Sequence, residues 1–211
     1  MNFVRDKLTI MNLRDAAAIH PFPGIAQLEW LAGQMRGAAV RESTKCLSQL
    51  AGLFQDQSAY QASDPQSIVY RVQWCEPVSQ GTEGGLFWGV THIEPGRVGE
   101  EYFMTHGHFH QERDRSEFYG CVKGEGILLL KNERQSWHES MRAGSLHYIP
   151  GLAAHRVINT GDVPLVFWAC WPSDAGHDYG PITTDGLGLR VLRGDTGPCV
   201  VAVPVPARDT Q

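Results

Sequence analysis

A change in the amino-acid pattern near residue 67 most constrains how this chain can fold. From "SIVYRVQW" (67–74) onward, short runs rich in Val, Ile, Tyr, Phe and Trp alternate with Gly or Pro about every eight to twelve residues. Further predicted strands are "LFWGVTHIE", "EYFMTHGHFH", "SEFYGCVKG", "GILLLKN", "SLHYIP", "AHRVINT", "PLVFWACW" and "LRVLR", and the tail "CVVAVPVPARDTQ" is expected to add an edge strand. Many short strands separated by turn signals predict an all-β antiparallel sandwich or barrel.

The first 65 residues carry a different, helical pattern. Apolar residues recur at three- and four-residue spacings in "AQLEWLAGQM" and "ESTKCLSQLAGLF". They are Leu28, Leu31 and Met35 in the first stretch and Leu47, Leu50 and Phe54 in the second. We therefore expect short N-terminal helices in an extension, residues 1–65, packed on a barrel domain, residues 66–211. A chain of 211 residues is compatible with one globular unit.

Composition argues against several classes of partner. The net charge of −5 and the pI of about 6.0 do not favour a nucleic-acid-binding surface. No run of eighteen apolar residues is present, and charges at Arg5, Asp6 and Lys7 interrupt any signal-peptide core, so we expect a cytoplasmic protein without membrane contact. The five cysteines show no CxxC spacing and predict neither disulfides nor a thiolate zinc site.

Histidines are concentrated around "GHFHQERDRSEFYG", residues 107–120. If this stretch is extended, alternate side chains share a face, so that His106, His108 and His110 project in the same direction. Imidazole nitrogens combined with a carboxylate form a donor set that zinc, iron, nickel and manganese accept. The stretch therefore predicts a metal site rather than a charged surface loop.

Two choices of ligands compete within this stretch. One takes His106 and His108 with Glu112, and the other takes His108 and His110 with Glu117. Glu117 begins a new predicted strand, so a hairpin can bring it opposite the histidines. We favour His108, His110 and Glu117 for this reason, and the shorter spacing stays as the alternative.

A second stretch, "GSLHYIPGLAAHRVIN", places Gly144, Pro150, His155 and Asn159 in sequence. It resembles the second conserved motif of the cupin superfamily, and the histidine stretch resembles the first motif with a lengthened loop before the glutamate. The resemblance implies a double-stranded β-helix (jelly-roll) barrel that binds one divalent metal ion, with His155 as the fourth ligand. The chain departs from the motif at Leu152, where a glycine is usual.

Longer motifs narrow the resemblance. "WACWPSDAGHDYG" (168–180), "VGEEYFMTHGHFH", "SEFYGCVKGEGILLL" and "AHRVINTGDVPLVF" resemble the archaeal-type, cupin-fold phosphoglucose isomerase family, from about residue 41 to about residue 182. The resemblance implies a homodimeric enzyme that interconverts glucose 6-phosphate and fructose 6-phosphate with one Fe²⁺, Zn²⁺, Ni²⁺ or Mn²⁺ ion per subunit.

The resemblance also implies roles for individual residues. The metal ligands would be His108, His110, Glu117 and His155. Glu117 would also exchange a proton between C1 and C2 of the sugar, although a metal-assisted hydride shift is a competing mechanism. Tyr119 would bond a substrate oxygen, and His177 would help ring opening.

For the substrate, the resemblance points to Thr91, Thr105 and Gly107 as the phosphate grip and to Tyr179 as a contact to sugar hydroxyls. Trp171 stands where the family usually has tyrosine, which implies a shifted affinity or substrate preference. Two alternatives stay open at this stage: a cupin oxygenase or decarboxylase with the same ligands, and a sugar-phosphate sensor without turnover.

Overall fold

The computed structural model describes residues 26–203, and the predictions for residues 1–25 and 204–211 lie outside this range. The strands are β1 (Gln27–Glu29), β2 (Gln34–Arg36), β3 (Arg41–Cys46), β4 (Ile68–Cys75), β5 (Leu86–Ile93), β6 (Arg97–Val98), β7 (Glu101–Tyr102), β8 (Glu117–Lys123), β9 (Glu125–Lys131), β10 (Ser136–Arg142), β11 (Leu146–Ile149), β12 (Ala154–Asn159), β13 (Leu165–Pro172), β14 (Leu189–Gly194) and β15 (Gly197–Ala202). The helical segments are a 3₁₀ helix at Leu47–Leu50 and α-helices at Gln57–Ala62 and Gly180–Asp185. None of the helices in the described range has the length and apolarity needed to cross a membrane.

The strands form two antiparallel layers around one main core. One layer is a six-stranded sheet in the order β11-β8-β13-β5-β4-β3. The other contains a three-stranded sheet, β10-β9-β12, and a four-stranded sheet, β15-β14-β7-β6. The main cluster of buried apolar side chains draws on strands of both layers, so it fills the space between them. This arrangement confirms the predicted all-β cupin fold.

Alternation along the strands decides which side chains enter the barrel. On β8, Glu117, Tyr119 and Cys121 are buried while Phe118 between them is exposed. β9 instead has five consecutive buried residues from Gly126, because it lies between two neighbouring strands and both of its faces are covered. The head of β8 thus carries polar residues into the barrel.

The helix predicted for residues 26–35 is wrong. β1 and β2 form an antiparallel hairpin in which Leu28 pairs with Met35. Gly33 adopts a φ of 65° in the turn, and its carbonyl oxygen lies 2.8 Å from Nε2 of His92. Met35 packs on the outer face of the six-stranded sheet, whereas Leu31 is 97% exposed. The helical spacing was misleading because tertiary contacts with this sheet, rather than one apolar helix face, hold the segment.

The second predicted helix is also wrong over most of its length. Residues 41–46 form β3, which pairs with β4, and only Leu47–Leu50 becomes a short 3₁₀ helix. Leu47, Leu50 and Phe54 are buried in the main core, so the apolar pattern located core residues but not their conformation. The domain boundary at residue 65 stays a prediction, although β3 shares a sheet with strands beyond it.

Other strand predictions had mixed outcomes. The stretch 101–110 contains only the two-residue β7 and isolated bridges such as His108 with His155, because Gly107 turns the chain with a φ of 77°. The tail strand is confirmed as β15, paired with β14. β10, "SWHESMR", was missed because its polar sequence lacks the apolar signal of the other strands and it lies at the edge of its sheet.

Leu152 stands where the cupin turn motif usually has a glycine. Its φ is 64°, the left-handed conformation that glycine adopts without cost. A leucine in this conformation costs about 1–2 kcal/mol. The turn therefore holds a leucine in a backbone conformation that favours glycine.

Asn159 joins the two layers at one end of the barrel. Its side chain is fully buried; Nδ2 donates to the carbonyl oxygens of Ile93 and Val163, each at 2.9 Å, and Oδ1 accepts from Gly161 N at 3.0 Å. We expect Asn159→Ala to lower the free energy of unfolding by about 2–4 kcal/mol, because buried backbone groups lose their partners. Urea denaturation measures this.

Asn132→Ala is the matched control, since Asn132 also caps backbone N–H groups, those of Arg134 and Gln135, but in a surface turn. Its expected effect is below about 1 kcal/mol. Equal losses in the two variants would contradict the role assigned to Asn159.

Candidate metal centre

A cavity of about 420 Å³ opens between the two layers. Residues from the six-stranded sheet, from β12 and from the loops that follow β7 and β13 line it. The sequence-predicted site residues all lie along its wall: Thr91, Thr105, Gly107, His108, His110, Glu117, Tyr119, His155, Trp171, His177 and Tyr179. The fold thus brings together side chains that are separated by up to 88 positions in the sequence.

Four of these residues converge on one point. His108, His110, Glu117 and His155 each offer a donor atom, and the four atoms lie within 4.8 Å of one another. Oε2 of Glu117 is 3.1 Å from Nε2 of His110 and 3.3 Å from Nε2 of His155. Three imidazoles and one carboxylate at this spacing can hold a divalent metal ion.

Hydrogen bonding around the imidazoles fits metal ligation. Nδ1 of His110 donates a hydrogen bond to the carbonyl oxygen of Arg115 at 2.8 Å. Nε2 is then the ring nitrogen that can ligate a metal ion in the cluster. Both ring nitrogens of His155 are buried and lack a hydrogen-bond partner in the described structure. Unpartnered buried nitrogens are costly, and a bound cation would satisfy one of them here.

Burial and mutual interactions shift the pKa values of several groups in the cluster. Burial, with His155 and His177 nearby, holds the pKa of His108 well below its usual value, so this ring is neutral at pH 7. Burial raises the pKa of Glu117, but His110 and His155 lower it more strongly, to about 2. Glu117 is therefore an anion at neutral pH. Burial lowers the pKa of His110, but the hydrogen bond and the charge of Glu117 raise it more strongly, so the pKa of His110 lies above its usual value.

The alternative ligand choice does not form a cluster. Nδ1 of His106 bonds to the carbonyl oxygen of Gly107 at 3.1 Å, and its ring contacts Tyr179 with 4.7 Å between centroids. Glu112 is exposed. The structure thus favours His108, His110 and Glu117, since the bend at Gly107 separates His106 from the other histidines.

Gly107 is required by its surroundings. A Cβ atom built there would lie 3.0 Å from Nε of Arg156 and 3.1 Å from the carbonyl oxygen of His155. Arg156 is buried, and its Nε and Nη2 donate to the carbonyl oxygen of His106 at 3.1 and 2.6 Å. Next to it, Oγ1 of Thr105 accepts from Val157 N, which leaves the hydroxyl hydrogen available toward the cavity.

His177 and Tyr179 cover the metal cluster from the loop after β13. Their rings are stacked, with 5.9 Å between centroids and 5° between planes, and the His177 ring centroid lies 4.4 Å from that of His108. Tyr179 is partly exposed at the mouth of the cavity. Trp171, near the end of β13, packs edge-on against Phe87 with 6.2 Å between the ring centroids.

Sequence reasoning missed several residues of the cavity wall. Lys45, Tyr70, Trp74 and Phe87 all contribute to it, and Lys45 is the one lysine or arginine lining the cavity within the described range. The alternation of β3 and β4 could have identified the first three, but β3 was interpreted as a helix. Lys45 gives the wall a positive charge that the sequence analysis did not anticipate.

Comparisons with known proteins identify the family to which the sequence is similar. The family model described as glucose-6-phosphate isomerase matches residues 44–201. The glucose-6-phosphate isomerase of Thermococcus litoralis is 40% identical over 166 residues, 76% of this chain and 85% of the relative. A "putative glucose-6-phosphate isomerase 2" of Rhizobium meliloti (strain 1021) is 38% identical over 179 residues, 83% of this chain and 88% of the relative.

Among solved structures, an oxalate decarboxylase mutant of Bacillus subtilis matches with a TM-score of 0.40 and 22% identity. The match covers 51% of this chain and 27% of the decarboxylase. A likeness this partial does not extend to function.

Proposed function

The chain belongs to the glucose-6-phosphate isomerase family of the cupin type, and we propose that its cavity interconverts glucose 6-phosphate and fructose 6-phosphate with a divalent cation held by His108, His110, Glu117 and His155. The observation that carries the proposal is the convergence of these four donor atoms within 4.8 Å, in a cavity lined by the other expected substrate contacts.

A divalent cation fits this donor set, because His155 has two unpartnered buried nitrogens and His110 is already oriented by Arg115. We propose one ion per chain, drawn from Fe²⁺, Zn²⁺, Ni²⁺ and Mn²⁺, all of which accept imidazole and carboxylate ligands. When bound, such an ion supplies Lewis-acid polarisation of the substrate carbonyl.

Glu117 and Tyr119 are proposed to carry the proton chemistry. Isomerisation by proton transfer, the alternative to a metal-assisted hydride shift, requires a base that removes a proton from one carbon and returns it to the neighbouring carbon. Glu117 is a buried anion in the cavity wall and is proposed as this base. Burial and the Glu117 carboxylate raise the pKa of Tyr119 well above its usual value. Tyr119 therefore stays protonated and can donate a hydrogen bond to a substrate oxygen.

The remaining wall residues are proposed to bind the two ends of the sugar phosphate. Thr91, Thr105 and the backbone at Gly107 line one side and can accommodate the phosphate, with Lys45 supplying a positive charge. His177 lies against the metal cluster and is proposed to assist ring opening, while Tyr179 is proposed to contact sugar hydroxyls.

A direct assay tests the proposal. Protein purified without chelators should convert glucose 6-phosphate to fructose 6-phosphate, lose this activity after chelation, and regain it when one of the four metals is added back. The physical reason is that a divalent cation would polarise the carbonyl far more strongly than one neutral hydrogen bond from Tyr119. Full turnover by metal-free protein, or no turnover by metal-loaded protein that binds the substrate, would contradict the proposal.

Trp171 is proposed to weaken substrate binding relative to tyrosine, because the indole lacks a phenol hydroxyl at the cavity wall. We expect Trp171→Tyr to lower KM for fructose 6-phosphate by about threefold to tenfold, the equivalent of one hydrogen bond of about 1 kcal/mol. Steady-state kinetics measure this. Trp88→Tyr, on the outer face of the sheet, is the control and should leave KM unchanged; an unchanged or higher KM for Trp171→Tyr would oppose the assignment.

A homodimer is proposed as the assembly. Its support is the exposed apolar surface of β8 and β11, formed by Phe118, Leu146 and Tyr148, in which the Phe118 and Tyr148 rings lie 5.2 Å apart. Sedimentation of the purified chain tests this. The cytoplasmic location stays a prediction.

A further inference from the structure

The loop that covers the metal cluster is tied to the loop that carries two of its ligands. We call residues 107–116 the metal loop and residues 173–179 the cover loop. Phe109 N donates to the carbonyl oxygen of Asp178 at 3.1 Å, and Asp178 N donates to that of Phe109 at 2.8 Å. Glu112 N donates to the carbonyl oxygen of Ala175 at 3.0 Å. Three backbone hydrogen bonds therefore hold the cover loop against the metal loop.

One ion pair joins these loops with a defined geometry. Nε of Arg115 donates to Oδ1 of Asp174 at 2.9 Å, and Nη2 donates to Oδ2 at 2.7 Å. Such a two-point contact fixes orientation as well as distance. The backbone carbonyl of the same arginine accepts the hydrogen bond from Nδ1 of His110 at 2.8 Å. Arg115 thus connects a proposed metal ligand with the cover loop.

Neither partner of this pair lines the cavity. The side chains are 35% and 31% exposed, and exposed pairs contribute little to stability in general. The pair is therefore expected neither to contact the substrate nor to contribute much to the free energy of unfolding. Arg115 contacts His110 through its carbonyl oxygen, and Asp174 belongs to the loop that carries His177 and Tyr179. The pair is therefore suited to position these residues.

We propose that Arg115 and Asp174 are positioning residues: their two-point contact holds the Arg115 carbonyl where it orients His110 and holds the cover loop where His177 and Tyr179 lie over the metal cluster. This rests on the proposed function both for the reaction and for the metal site to which His110 contributes a ligand. The hydrogen-bonding partner of a ligating histidine commonly changes metal affinity or activity by about 10- to 100-fold when it is disturbed.

A second tie keeps the loops together when the first is removed. Nη2 of Arg113 bonds to Oδ2 of Asp178, and the Arg113 guanidinium carbon lies 4.2 Å from the centroid of the Phe109 ring. With the three backbone hydrogen bonds, this pair should preserve the fold of an Arg115 or Asp174 variant. Such variants should then lose the orientation of His110 without unfolding.

The test uses Asp174→Asn and Arg115→Lys in the full chain. Both keep the approximate size of the side chain, but the amide removes the charge and the lysine cannot make two parallel hydrogen bonds. We expect Zn²⁺ affinity, measured by competition with a chelator, to fall about tenfold in each variant. We expect kcat to fall by a similar factor in Zn²⁺-saturated protein, with KM changed less than about twofold.

Arg71→Lys and Glu94→Gln provide the matched control. This ion pair has similar exposure, 39% and 29%, and neither residue lines the cavity. Its variants should keep both metal affinity and kcat. Wild-type-like Zn²⁺ affinity and kcat in Asp174→Asn and Arg115→Lys would overturn the inference, as would equal losses in the control pair. If the unaltered protein shows no isomerase activity, the proposed function fails, and Zn²⁺ affinity alone decides the positioning role.

Discussion

Replacing His155 with alanine is expected to lower the affinity of the protein for a divalent cation by at least about a hundredfold and to abolish its isomerase activity. His155 contributes one of four donor atoms, and the buried nitrogens of its ring make no hydrogen bond in the described structure. A three-donor cluster of His108, His110 and Glu117 would remain, open on the side of β12. Metal content after dialysis, together with chelator competition, measures the loss.

His147→Ala is the matched control for this experiment. His147 is equally buried, but Nδ1 lies 2.7 Å from Oε2 of Glu139 and Nε2 lies 2.8 Å from Oγ of Ser145, so its ring is fully satisfied by protein. Its loss should reduce stability while metal affinity is retained. Metal content that stays at the wild-type level in His155→Ala would remove the basis of the metal centre.

Glu117→Gln is expected to reduce kcat by about 10²- to 10⁴-fold, the usual contribution of a positioned base. Glutamine has the same shape and can still offer an oxygen to the cation, but it cannot accept the proton. Burial raises the pKa of Glu117, but His110 and His155 lower it more strongly, to about 2. The carboxylate is therefore charged throughout the neutral pH range. Its loss should reduce the rate at every pH in that range. Steady-state kinetics on metal-saturated protein measure this.

Glu76→Gln is the control, since Glu76 also lines the cavity but is engaged by Arg41 and by the indole N–H of Trp74. It should retain kcat within a few fold. A sugar-phosphate sensor would behave differently: the unaltered protein would show no turnover, and Glu117→Gln would change only metal and ligand affinities. That pattern would exclude Glu117 as the base of an isomerase.

The sequence predicted most strands beyond residue 67, because alternation and turn residues are local signals that remain visible without a structure. β8 and β12, which carry Glu117 and His155, are examples. It failed for β1, β2 and β3, whose conformations depend on other strands: Met35 is buried only against the six-stranded sheet, and β3 forms only by pairing with β4. Lys45 was missed for the same reason.

The contact between the positioning residues also could not be predicted from the sequence. Arg115 and Asp174 are 59 positions apart, and no spacing rule relates them. Only the docking of the cover loop on the metal loop brings the guanidinium and the carboxylate together. The same docking places His177 over His108.

The sequence alone determined the chemistry available to this protein: several histidines and glutamates in two motifs, with strands to carry them. The tertiary structure decided which of these residues meet. His106 and Glu112 are as suitable chemically as His110 and Glu117, but the bend at Gly107 and the pairing of the strands bring only the second pair to His155. Ligand type is a property of single residues, whereas convergence requires backbone paths that distant parts of the chain fix for each other.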